Sequence, residues 1–166
     1  AALFCVAFVL INLRGTKEAA GFQVALVLAL LGLMVLFIIR GFSHINIQYF
    51  EPFAPYGVKS VVSTAGFVFV SYGGLIQVAS IAGEIKRPGH TIPRGMIIAL
   101  FVMIVLYTLM IFITSGVLGA EELDHSLTPI SDAAGAFWGR AGYLLISIAA
   151  ALAFVTTANA GIMTAS

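Results

Sequence analysis

Five residues that either carry a hydrogen-bonding side chain or weaken a helix lie together in the middle of one charge-free apolar stretch, residues 60–83. They are Ser71, Tyr72, Gly73, Gly74 and Gln77. Each glycine weakens a helix by about 1 kcal/mol relative to alanine, so the adjacent pair predicts a local opening. The half-helix before the opening would direct carbonyls into it, and the half-helix after it would direct free N–H groups. These ends carry about half a negative and half a positive elementary charge. They therefore predict a site for a zwitterion or a cation, built without an ionised side chain.

The composition of the chain places this stretch in a membrane. Of the 166 residues, 61% are hydrophobic and only 9% are charged, whereas soluble domains average roughly 45–50% and 25%. Too few polar side chains are present to cover a water-exposed particle, which excludes a soluble globule. The net charge is +1, so the chain has no basic field and nucleic acid is excluded as a partner.

Charged residues divide the chain into long apolar stretches. A helix needs about 20 residues to cross a hydrocarbon core of about 30 Å. We therefore expect part of a single all-α transmembrane domain with spans at about these residues: 1–13 (truncated), 19–41, 60–83 (broken at 73–74), 95–119 and 141–164. All five prolines lie between the long apolar stretches, where they predict connections.

The basic residues predict the orientation of the spans. The turns at residues 14–18 and 84–94 together carry five Lys or Arg residues, whereas the opposite side carries three. Cytoplasmic loops are enriched in Lys and Arg. We therefore expect both turns to be cytoplasmic in a multi-pass protein of the cell membrane.

Three groups of residues resemble one family. Residues 71–74, 78–84, 86–88 and 91–95 resemble the sixth transmembrane helix and following cytoplasmic loop of amino acid permeases in the amino acid–polyamine–organocation (APC) superfamily. Residues 11–17, with Gln23 downstream, resemble the junction of that family's fourth and fifth helices. Residues 156–161, with Ser166, resemble the end of its eighth helix.

The resemblance implies a LeuT-like fold of five plus five helices related by an inverted repeat, with this chain holding the end of helix four through helix eight. It also implies a secondary active transporter (permease) that moves amino acids or related amines by alternating access. The substrate ammonium would bind carbonyls of the sixth helix, by position those of Val70, Ser71 and Tyr72. The carboxylate would bind mainly at the first helix, which we expect to lie outside this sequence.

The force that drives transport is left open by the sequence. Thr156 and Thr157 could hold Na⁺ together with backbone carbonyls, Glu84 could carry a proton, or substrates could exchange without an ion. Two hydroxyls without a carboxylate form a poor cage for a hard cation unless carbonyls complete it. This favours proton coupling or exchange over Na⁺.

Two departures from the family pattern prevent an assignment of coupling by resemblance. Many members carry an acidic residue after the glycines of the sixth helix, where this chain has Ile76 and Gln77. Some proton-coupled members carry a lysine in the fifth helix, whereas residues 19–39 contain no ionisable side chain. Residues 141–166 contain none either, so neither span offers a proton carrier.

No residue pattern predicts an enzyme, a metal site or a bound cofactor. The histidines lie in separate loops without ligand spacing: His44, His90 and His125. Neighbours in one loop, such as Asp124 and Ser126 beside His125, cannot position a nucleophile, a base and an orienting group. The single Cys5 has no partner for a disulfide.

The expected partners are an amino acid or amine substrate, the lipid bilayer, and either H⁺ or Na⁺. The alternative function is a non-transporting structural or channel-forming membrane subunit. In that case Gly73 and Gly74 would serve only close packing against another helix.

The predicted orientation is testable with single cysteines in a full-length Cys5→Ser protein. The variants Lys17→Cys and His90→Cys should react with a membrane-impermeant maleimide only from the cytoplasmic face, because both lie in the basic turns. His125→Cys should react only from outside. Labelling of His90→Cys from outside in intact cells would contradict the orientation.

Overall fold

The computed structural model describes residues 16–51, 56–72, 85 and 87–165. Over these residues the chain is helical and contains no strand, which confirms the all-α class predicted from the sequence. The elements follow in this order: α1 (Thr16–Gly41), two 3-10 helices (Phe42–His44 and Ile47–Phe50), α2 (Gly57–Ser71), α3 (Pro88–His125) and α4 (Pro129–Ala165). The expected span at 1–13 and the second half of the span at 60–83 lie outside the described residues.

Three of the described helical segments are long and apolar enough to cross a membrane: Gln23–His44, Pro88–His125 and Pro129–Ala158. Many of their large apolar side chains are exposed, such as Leu28, Ile97 and Phe154. Exposed apolar side chains in such number suit a hydrocarbon solvent.

Helix α3 begins at Pro88, seven residues before the span expected from the sequence at 95. A proline is tolerated in the first turn because the N–H it lacks would have no intrahelical partner there. The carbonyl of Arg87 accepts hydrogen bonds from the N–H groups of His90 and Thr91, both at 3.1 Å. Pro93 also lies inside this helix, in a segment where the sequence predicted a connection.

Two glycines with left-handed backbone angles interrupt the long helices. Gly119 in α3 has φ 71° and Gly139 in α4 has φ 66°, a conformation that costs glycine little because it has no Cβ. Between these two breaks, residues 120–138 form a short helical hairpin that turns at residues 126–128. The sequence predicted only a connection here.

The core lies where the end of α1 meets α3 and α4. Phe37 of α1 and Ile113 of α3 are completely buried. The Phe37 ring contacts Phe137 of α4 edge to face, with centroids 5.2 Å apart. Gly41 allows this close packing, because a Cβ at position 41 would clash with Ile113.

The segment between α1 and α2 packs on the last turns of α3. The Asn46 N–H donates to the Gly116 carbonyl at 2.8 Å, and the Phe50 ring stacks on Phe112 at a centroid distance of 4.8 Å. A Cβ at Gly116 would lie 2.7 Å from Cγ2 of Ile45. Glycine at position 116 therefore permits the close approach.

Two glycine-to-alanine substitutions in the full-length protein should have opposite effects on stability. Gly116→Ala should lower the free energy of unfolding by about 1–3 kcal/mol, since overpacking displaces Ile45. Gly32→Ala, where a Cβ meets no atom within 4 Å, should be neutral or stabilising by up to about 1 kcal/mol. Thermal unfolding in detergent measures both, and equal stability of the two variants would contradict the packing described.

Candidate functional site

The candidate site begins at the carboxyl end of α2. This helix has 15 residues and ends at Ser71, a length of about 22 Å, which is shorter than the hydrocarbon core. Tyr72 follows as the C-terminal cap, and its N–H donates to the Phe69 carbonyl at 3.1 Å. The last four carbonyls of a helix generally lack the intrahelical N–H partner of the preceding ones, and here the Val70 carbonyl also receives the N–H of Tyr72.

The side chains at this end differ in their surroundings. Val70 is exposed, with 75% of its surface accessible, whereas Tyr72 is half-buried. The end of α2 therefore combines backbone carbonyls with one half-buried aromatic side chain.

The other predicted residues of the opening lie outside the described part of the chain: Gly73, Gly74, Gln77 and Glu84. The opening at the two glycines and the role of Glu84 as a proton site therefore stay predictions. In the described structure α2 ends at Ser71, one residue before Tyr72 and two residues before Gly73.

The threonines predicted for ion coupling lie close together on α4 and share one acceptor. The hydroxyls of Thr156 and Thr157 donate to the Ala153 carbonyl at 2.8 and 2.9 Å. Thr156 is buried and Thr157 is exposed. Each hydroxyl directs its hydrogen at the Ala153 carbonyl. What each threonine oxygen can still contribute is therefore its lone pairs.

A polar contact between helices lies at the same turn of α4, and it is not among the contacts predicted from the sequence. Gln23 of α1 donates from Nε2 to the backbone carbonyl of Thr156 at 3.2 Å. Gln23 is the one strongly polar side chain in residues 19–39. A polar side chain in an apolar span faces protein more often than lipid. A single polar residue in such a span, as Gln23 is here, therefore indicates a contact with another helix.

The turn of the hairpin between Gly119 and Gly139 is held by side chains. Asp132 accepts hydrogen bonds from the hydroxyls of Ser126 and Thr128, and the Thr128 N–H donates to the Ser126 hydroxyl. This network satisfies polar groups before the start of α4. It fixes the hairpin that follows the break at Gly119.

A hydrogen bond joins the beginning of α2 to the end of α3. The Tyr56 hydroxyl donates to Asp124 at 2.9 Å. This bond, and then the negative charge of the carboxylate, raises the pKa of the Tyr56 phenol above its ordinary value of 10.0. Tyr56 therefore keeps its proton throughout the physiological pH range.

Acidic groups line an open cavity of about 610 Å³ at this end of the helices, with these residues around it: Leu118, Glu121, Glu122, His125, Ser126 and Asp132. Among the described residues, no group of three or more His, Cys, Asp or Glu side chains is arranged to hold a metal ion.

Similarity to known proteins decides the family. The sequence matches the family described as amino acid permease over residues 1–166. The chain belongs to the amino acid permease family. This confirms the resemblance to APC-superfamily permeases that the residues 71–95 carried.

Three relatives illustrate the range of this permease family. The methylthioribose transporter of Bacillus subtilis (strain 168) is 34% identical over 67% of this chain and 24% of its own length. The vacuolar cationic amino acid transporter 8 of Arabidopsis thaliana is 31% identical over 69% of this chain and 19% of its own length. The aspartate-proton symporter of B. subtilis is 34% identical over 49% of this chain and 16% of its own length.

The permease chain thus spans a quarter or less of the length of these relatives. Family membership and the apolar helices make it part of a membrane-embedded protein. The names of the relatives are those of transporters, not of enzymes.

Proposed function

We propose that this chain is part of a secondary transporter that moves amino acids or related amines across the cell membrane by alternating access. The observation that carries the proposal is the end of α2 at Ser71, directly before the sequence Tyr72-Gly73-Gly74, in a chain that matches the permease family throughout. Helix ends at mid-membrane bind charged groups through backbone dipoles.

The proposed site binds the substrate ammonium at the carbonyl end of α2. Carbonyls of Val70, Ser71 and Tyr72 accept hydrogen bonds from the ammonium, and Gly73 and Gly74 let the substrate approach the backbone closely because they have no side chain. Gln77 completes the site as a neutral donor and acceptor. No ionised side chain is needed in lipid, where an isolated charge is costly.

The identity of the substrate beyond its amino group is a separate question. The three relatives are named for methylthioribose, cationic amino acids and aspartate. Carbonyl acceptors suit the ammonium of any amino acid, and also a hydroxyl. We propose an amino acid or amine, since the family and two of these names point to amino acids.

Transport is proposed to run by proton coupling or by exchange of substrates. Residues 141–165, which include both candidate Na⁺ ligands on α4, contain no carboxylate. A hard cation prefers a cage that includes carboxylates or several carbonyls. The name of the aspartate-proton symporter supports a proton, for which Glu84 is the proposed carrier.

Uptake of labelled amino acids by the full-length protein in proteoliposomes tests the proposal. Uptake should be accelerated by unlabelled amino acid inside or by an inward proton gradient. The double variant Gly73→Leu/Gly74→Leu should abolish both uptake and binding, since the added bulk fills the approach to the carbonyls. The matched control Gly21→Leu/Gly32→Leu changes two glycines of α1 whose surroundings are open, and it should retain uptake.

Two outcomes would contradict the proposal. Unchanged uptake in a well-expressed Gly73→Leu/Gly74→Leu protein would exclude a site at the glycines. Acceleration by a Na⁺ gradient, lost in Thr157→Val, would show that Na⁺ drives transport instead.

A further inference from the structure

The two ends of the α1–α4 contact are held by different forces. Near Gly41, Phe37 of α1 is completely buried, and its ring packs edge to face on Phe137 of α4. At the opposite end of α1, Gln23 donates to the Thr156 carbonyl. Apolar packing therefore dominates one end, and a directional polar bond lies at the other.

The geometry at Thr156 suits a bond that forms and breaks without unfolding α4. A carbonyl oxygen has two lone pairs, so Thr156 can accept from Gln23 as well as from its own helix. The Thr156 hydroxyl already donates to Ala153. Loss of the Gln23 contact thus leaves the polar groups of Thr156 paired within α4.

The strength of such a bond is in the range that conformational change can overcome. Hydrogen bonds between transmembrane helices measured by double-mutant cycles shift equilibria about three-fold on average and about twenty-fold at most. A core of interlocked side chains such as that around Phe37 does not separate so easily. If one end of the helix pair opens, it is the end that contains Gln23.

We propose that Gln23 is a positioning residue that holds α1 against α4 at Thr156, and that this end of the pair separates when the bond breaks. The opening is the kind of movement that alternating access requires, so its role in transport rests on the function proposed above. We call the hydrogen bond from Gln23 to Thr156, which holds this end of the pair closed, the latch. The existence of the latch does not depend on transport.

Cysteine alkylation in nanodiscs tests the latch independently of transport and of membrane orientation. In full-length Cys5→Ser protein, the reporter Ala160→Cys lies one turn after Thr156, at a half-buried position. Gln23→Met keeps the length of the side chain and removes the donor. It should raise the alkylation rate of the reporter about three-fold, and by no more than about twenty-fold, because reactivity follows the open population.

A second reporter distinguishes local opening from general loosening. Met110→Cys replaces a buried residue of the core that contains Phe37, and its alkylation rate should not change with Gln23→Met. The control Gln48→Met makes the same substitution at an exposed position between α1 and α2, and neither reporter should respond to it. Should Gln23→Met fail to insert, Gln23→Asn, which retracts the amide by one methylene, should have the same effect.

The proposal would be overturned if the reporter Ala160→Cys were alkylated at the same rate in the protein that keeps Gln23 and in the Gln23→Met and Gln23→Asn variants. A parallel increase at both reporters would overturn it as well, because Gln23 would then support overall stability only. Failure of amino acid uptake would refute the proposed function, whereas the latch stands or falls on the alkylation rates alone.

Discussion

In a bilayer, backbone N–H and C=O groups have no water to bond, so they must be paired within helices or covered by protein. Every place where a described helix of this chain stops or bends is therefore a place where polar backbone is concentrated. α2 ends at Ser71, α3 breaks at Gly119, and α4 breaks at Gly139. The proposed substrate site and the hairpin between the two glycines both follow from such interruptions.

The same constraint applies to polar side chains within the spans. Thr156 and Thr157 both donate to Ala153 of their own helix, and Gln23 reaches across to the Thr156 carbonyl. Three polar side chains in apolar segments thus meet at two carbonyls of one helical turn. This concentration makes the turn at Thr156 both a candidate for ion coupling and a point where α1 and α4 are joined.

The sequence predicts those features that arise from composition and local chemistry. Charge-free length identifies the apolar helices, and the residues around Gly73 and Gly74 identify the family that the full-chain match confirms. Features that depend on contacts between distant residues were not predictable. The approach of Ile45 to Gly116 and the bond from Gln23 to Thr156 join residues far apart in sequence. The sequence does not predict the early start of α3 at Pro88, because a proline between apolar stretches is typical of a connection, although the first turn of a helix also accepts it.

The central claim is that backbone carbonyls at the end of α2 bind the ammonium of the substrate. The most direct test compares the affinity of the purified full-length protein for its tightest-binding amino acid and for the same molecule without the amino group. Hydrogen bonds to a charged group contribute about 1.5–3 kcal/mol, so the deaminated compound should bind about ten-fold to a hundred-fold more weakly. Equal affinity for the two compounds would contradict the claim.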